Sequence, residues 1–175
     1  MGERMREDAS RIAQSLIDRI HRQQRDIGIR MVYMDFAPDR HLLPNYRNRG
    51  HYHVTAGYSE KLRKDAGMVA VSERNRMKWQ PLEGPVSMFL HVAWPYRIRK
   101  DGQPYANQRI PDADGLATAH KPALDGYVDA GLLLDDDQVE SIHVTRSRDV
   151  GGVGYTLCIL APYLDGDIVD VAAAA

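Results

Sequence analysis

Cysteine is almost absent from this chain: Cys158 is the only one in 175 residues. One thiol cannot close an internal disulfide, which excludes a disulfide-scaffolded small domain and fits a reducing compartment. Cys158 lies in the apolar run from Tyr155 to Leu160 and reads as a small buried hydrophobe. Long apolar runs are missing too. No stretch approaches the ~20 apolar residues of a membrane-spanning helix. Residues 1–25 carry charge throughout and lack the continuous apolar segment of a secretory leader. A cytoplasmic protein with no membrane partner is therefore expected. There is no internal repeat and no glycine-rich nucleotide loop, since Gly151-Gly152-Val153-Gly154 leads into no helix and reads as a hairpin turn.

What is present is ordinary in bulk. Hydrophobic residues make up 43% and charged residues 27%, enough for one globular domain with its own core. The periodicity predicts an amphipathic helix over 3–25, with Met5, Ala9, Ile12, Ala13, Leu16, Ile17 and Ile20 on one stripe. A docking or dimer helix is the preferred reading, although Arg19, Arg22 and Arg25 near its end also fit a DNA-contacting arm. A strand is expected over 29–36, followed by an irregular loop marked by Pro38, Pro44, Asn45 and Gly50. A second helix is expected from about Ser59 to Met77, weakened by Gly67. Val86, Met88, Leu90, Val92 and Trp94 alternate with their neighbours, predicting a strand that Pro95 ends. A polar loop over 96–110 turns at Asp101-Gly102. A third helix follows over about 115–130, closed by Gly131. Strands over 138–147 and 154–161 complete the list. This order implies an α+β fold, a small mixed β-sheet with helices packed mainly on one face. The expected organisation is an N-terminal helix extension (1–27), one domain (28–164) and a frayed acidic, alanine-ended tail (165–175).

The charge is unevenly distributed although the net is −1. Residues 1–39 balance. Residues 40–110 hold thirteen Lys/Arg against five Asp/Glu, net +8, and residues 111–175 hold three against twelve, net −9. A basic middle beside an acidic end fits a grip on a polyanion next to a metal site, and equally fits two halves that pair across the fold. Between Arg109 and Val139 stand Asp112, Asp114, Asp125, Asp129 and Asp135-Asp136-Asp137, with Lys121 the single basic residue among them. Carboxylates brought this close need a counter-charge, and a divalent cation held by oxygens is the commonest. Asp114, Lys121 and Asp125 are spaced i, i+7 and i+11, which places them on one face of a regular helix. Asp112 precedes that helix and points toward its N-terminal end. A short connection through Gly131–Leu134 would return Asp135–Asp137 beside the same face. Pro122 implies either a kink or a helix that begins near Lys121. Mg²⁺ held by two or three Asp can activate water and neutralise a phosphodiester in reaction, and Mn²⁺ fits the same donors. An ammonium nearby steadies the developing charge.

Several residues carry plainer readings. Asp129 reads as solvated and Asp137 as a turn residue. His41, His51 and His53, with Tyr46 and Tyr52, suit a DNA-facing loop better than a zinc site, because no Cys accompanies them. His120 reads as a solvated helix residue. His91 and His143 lie in strands and are expected to pack or face solvent.

These residues resemble a family. The segments Asp112-Ala113-Asp114-Gly115-Leu116, Lys121-Pro122-Ala123-Leu124-Asp125-Gly126, Asp129-Ala130-Gly131 and Asp135-Asp136-Asp137-Gln138-Val139 look like the signature of RusA-like Holliday-junction resolvases. Upstream, a first strand, the Pro44-Asn45 loop, Arg47 to Gly50, and Val54-Thr55-Ala56 opening a basic helix are also similar. The resemblance spans roughly 29–161. It implies a homodimeric, phage- or prophage-type endodeoxyribonuclease that resolves branched DNA with Mg²⁺, in a bacterial or phage-infected cytoplasm. Carried over, the metal ligands fall on Asp112, Asp114 and Asp136, with Asp135 assisting, and the family's lysine falls on Lys121. Arg47, Arg49, Lys61, Arg63 and Lys64 would grip phosphates. Two positions depart from the pattern: Gly115 stands where the family has Asn, and Lys121 lies about three residues late, with Thr118 at the expected place. These departures motivate an alternative, a RusA-fold DNA-binding protein without cleavage. A metal-dependent phosphoesterase for small phosphates is the third reading, disfavoured by the size of the basic region.

Overall fold

The computed structural model describes residues 28–47, 52–103, 105 and 108–163. The expected helix over 3–25, Arg49, His51 and the tail over 165–175 lie outside the described residues, as do the side chains of Tyr46, Arg47, Tyr52 and His53. The described elements are β1 (Arg30–Met34), α1 (Pro44–Arg47), α2 (Tyr52–Met77), β2 (Val86–Tyr96), α3 (Ala113–Asp129), β3 (Val139–Val150) and β4 (Tyr155–Pro162). Short 3₁₀ turns at Arg40–Leu42 and Asp136–Gln138 join them. The sheet order is β1-β4-β2-β3. β4 runs antiparallel to both β1 and β2, and β2 runs parallel to β3. The parallel pair needs a crossover, and α3 supplies it.

The alternation in β2 does its expected work. Val86, Met88, Leu90 and Val92 join Val32, Met34, Cys158 and Leu160 in one core cluster under α2 and α3. The alternate residues face the other way. Both long helices therefore cover one face of a four-stranded mixed sheet, as the sequence implied.

Three expectations change. α2 begins at Tyr52 rather than near Ser59. Tyr58 stacks on His41 at 4.5 Å and 8°, so the aromatic segment that read as loop is helix docked on the preceding turn. β2 continues through Pro95 to Tyr96. Its pairing with β4 stops at Ala93, so Pro95 lies where β2 is paired only with β3, a place where a missing N–H is tolerated. α3 is one helix from Ala113 to Asp129 with Pro122 inside it, and does not start near Lys121. Gly67, which weakens α2 in isolation, sits where α2 crosses α3. A Cβ on its counterpart Gly126 would stand 2.3 Å from the Arg63 carbonyl oxygen and 3.0 Å from the Gly67 nitrogen, so only glycine permits this approach.

Candidate functional site

α3 positions the first acids. Asp112 caps it, its Oδ1 accepting from the Gly115 N–H at 2.8 Å. Capping exploits the unpaired amides of a helix start, where a carboxylate also meets the positive end of the dipole. A Cβ on residue 115 would meet Asp112 Oδ1 at 2.5 Å, so glycine is what lets the carboxylate fold onto the helix here. Arg146 on β3 donates to the Pro111 carbonyl and pins the chain just ahead of the cap. Asp114 follows in the first turn, and Thr118 Oγ1 donates to its backbone oxygen at 2.9 Å.

Asp112, Asp114, Gly115 and Thr118 open onto one broad cavity of about 1170 Å³. That exceeds the space of a typical small-ligand pocket. Its other walls carry Arg40, Arg97 and Arg109 and the rings of Trp94, Tyr96 and Tyr105. Guanidinium groups beside aromatic planes are the side chains that hold phosphates and stack bases. His41 also lines the cavity. Asp39 fixes it twice, accepting from the His41 backbone N–H at 2.9 Å and contacting ring Nδ1 at 2.6 Å, while Tyr58 backs the ring. This Asp39–His41 pair and the arginines of 97 and 109 were missed from sequence. An Asp two residues before a His in a Pro-flanked loop is the signal that was there.

The second group of acids lies after α3, in and beside the 3₁₀ turn Asp136–Gln138. Asp135, Asp136 and Asp137 place carboxylate oxygens within 4.8 Å of one another. The chain does return them to α3, because Lys121 Nζ donates to Asp136 Oδ2 at 3.1 Å. That hydrogen bond, with the charge attraction, holds the Asp136 carboxyl below its ordinary value and the Lys121 ammonium above its own. Gln138 pins the acidic turn. Its Oε1 accepts from the Leu134 and Asp135 N–H groups at 2.6 and 3.1 Å, and its Nε2 donates to the Leu82 and Gly84 carbonyls at 3.0 and 2.8 Å. The Asp-Asp-x-Gln order thus has a mechanical reason. The amide ties a charged turn to the segment entering β2.

The predicted ligand set is therefore only partly assembled. Asp112 and Asp114 share the cavity; Asp136 and Asp135 share the turn; Lys121 links the turn to the helix but does not line the cavity. Among the described residues, Asp112, Asp114 and Asp136 do not form a group with oxygens within 4.8 Å.

The predicted phosphate contacts also sort themselves. Asp129 is exposed to solvent, as expected, and is also paired, in a bidentate bridge from Arg63 at 2.6 and 2.8 Å. Each raises or lowers the other in the expected sense, the Arg63 hydrogen bond pulling the Asp129 carboxyl down. Lys61 pairs with Asp65 one turn on. Lys64 is exposed on α2. His120 is buried rather than solvated. Its Nε2 lies 3.3 Å from the Tyr127 hydroxyl, its Nδ1 has no partner among the described residues, and burial pushes it down to about 4.

No protein-family model matches this chain, and no curated protein matches it. No helix among the described residues is long and apolar enough to cross a membrane.

Proposed function

We propose that this chain is a divalent-metal-dependent endodeoxyribonuclease that hydrolyses phosphodiesters in branched DNA, acting as a homodimer in the cytoplasm. One observation carries the reading: Asp112 and Asp114 open together into a cavity walled by arginines and aromatic rings. Asp112, Asp114 and Asp136 would hold Mg²⁺ or Mn²⁺, with Asp135 assisting, and the cation supplies water activation and charge neutralisation when bound. Lys121, which donates to Asp136 Oδ2 at 3.1 Å, would orient that carboxylate and supply positive charge toward a phosphate held beside it. Arg40, Arg97 and Arg109 hold the flanking phosphates, with Lys64 extending the track.

The test is nicking of a synthetic four-way junction with Mg²⁺ by the native chain and by Asp114→Asn. The native chain cuts, and the variant loses at least a hundredfold in rate. Equal rates would remove this site from the reaction.

The separation of Asp136 from Asp112 and Asp114 favours one rival, a DNA-binding protein of the same fold without cleavage. It predicts salt-sensitive junction binding with no product in either Mg²⁺ or Mn²⁺.

A further inference from the structure

We propose that the sheet face opposite the helices is the docking surface for this chain's own residues 3–25. α2 and α3 cover only the face of Val32, Leu90 and Cys158. On the other face the alternate residues of β1, β4 and β2 make an apolar band, with Tyr33, Phe89, Tyr155, Leu157 and Ile159 at its centre. Tyr33 and Tyr155 lie 5.7 Å apart there, and Tyr33 is 41% exposed. On β3 the same face turns polar, with Ser141, Thr145 and Ser147 paired opposite Ser87, His91 and Ala93. The apolar band therefore spans β1 and β4 and reaches β2 only at Phe89 and Ala93, because Ser87 and His91 share that face. It is about as broad as the ~10 Å diameter of one helix, with Met31 3% and Tyr33 41% exposed.

The occupant follows from where the described chain begins. Gly28 precedes β1 and adopts φ 73°, a left-handed turn that redirects the chain at the edge of the sheet. Residues 1–27 thus enter at the end of the band where Arg30 pairs with Leu160. The seven apolar residues of 3–25 recur every three or four positions. Four helical residues advance ~6 Å, close to the ~6.6 Å between side chains two apart on a strand. A helix running back along β4 sets Ile20 over the row of Ile159 and Phe89, Leu16 over Leu157 and Tyr33, and Ile12 over Tyr155. Twenty-three helical residues span ~34 Å, about the length of the eleven-residue β2. The arginines and acids of the segment then face water. A second copy stacking on the same band is the competing occupant.

The experiment uses the full chain carrying Leu16→Cys and Tyr33→Cys, oxidised at micromolar concentration. Cys158 is fully buried with its thiol pushed up to about 12, so it stays out of the exchange. The expected product is a disulfide within one chain, at monomer mass on a denaturing gel. Asp18→Cys, on the opposite face of the segment, should form none with the same partner. Leu16→Asp in the otherwise native chain should lower the melting temperature by several degrees. Absence of the Leu16–Tyr33 bond, a bond that links two chains instead, or an unchanged melting temperature in Leu16→Asp would overturn the proposal.

Discussion

Thr118 stands on the cavity wall beside Asp114, one helical turn before Lys121, whose ammonium is held by Asp136. That displacement sets a residue-scale prediction. Lys121→Ala should lower Mg²⁺-dependent junction nicking by about a hundredfold, the typical worth of one charge-stabilising donor. Adding Thr118→Lys to that variant places an ammonium on the cavity itself and should restore part of the rate. A double variant no faster than Lys121→Ala would deny the cavity a role in the chemistry. The acids themselves were legible in the sequence, because spacing along one helix and one short connection fixes their order. What was not legible is which partner each takes. Asp129 and Arg63 are far apart in sequence and meet only because Gly67 and Gly126 let two helices touch. His120 read as solvated because its polar neighbour Lys121 lies on the same stretch. It turns inward toward Tyr127 instead.

At the scale of elements, strands were read more closely than helix starts. Period-two alternation marks β2 strongly, and its register with β4 and β3 buries one face. The start of α2 escaped; Tyr58 lies inside the helix and stacks on His41, a tertiary contact no local pattern announces. The Asp136–Gln138 turn is the element on which the second acid group depends. Its fixed geometry rests on four backbone contacts from one amide, that of Gln138. Gln138→Leu keeps the volume and removes all four. It should cost about 2 kcal/mol by leaving backbone groups unpaired, read from denaturant midpoints. The loss of nicking should exceed what that destabilisation explains, because Asp136 then loses its fixed position. A stable, fully active variant would show the turn to be incidental.

At the scale of the whole molecule, the buried histidine sets an acid limit. His120 is pushed from its ordinary 6.5 down to about 4 by burial, so the fold disfavours its charged form. The unfolded chain therefore takes up this proton first as pH falls. Stability from this group is complete above 6.5, declines between 6.5 and 4, and changes no further below. The loss is about 3 kcal/mol across that window. His120→Phe should flatten it, so that the native chain loses about that much more than the variant between pH 7 and pH 4 in urea melts. Equal losses would place the acid sensitivity elsewhere. The architecture as a whole was legible, a mixed sheet with helices on one face, because it follows from the order of elements and two hydrophobic periods.

The central claim is that Asp112 and Asp114, joined by Asp136, hold one divalent cation on the cavity. Crystals of the chain grown with Mn²⁺ test it directly, through the anomalous scattering of the metal. The account predicts a peak about 2.1 Å from oxygens of Asp112 and Asp114, with Asp136 swung toward it. A peak confined to the exposed turn of Asp135–Asp137, or none at millimolar Mn²⁺, would contradict it.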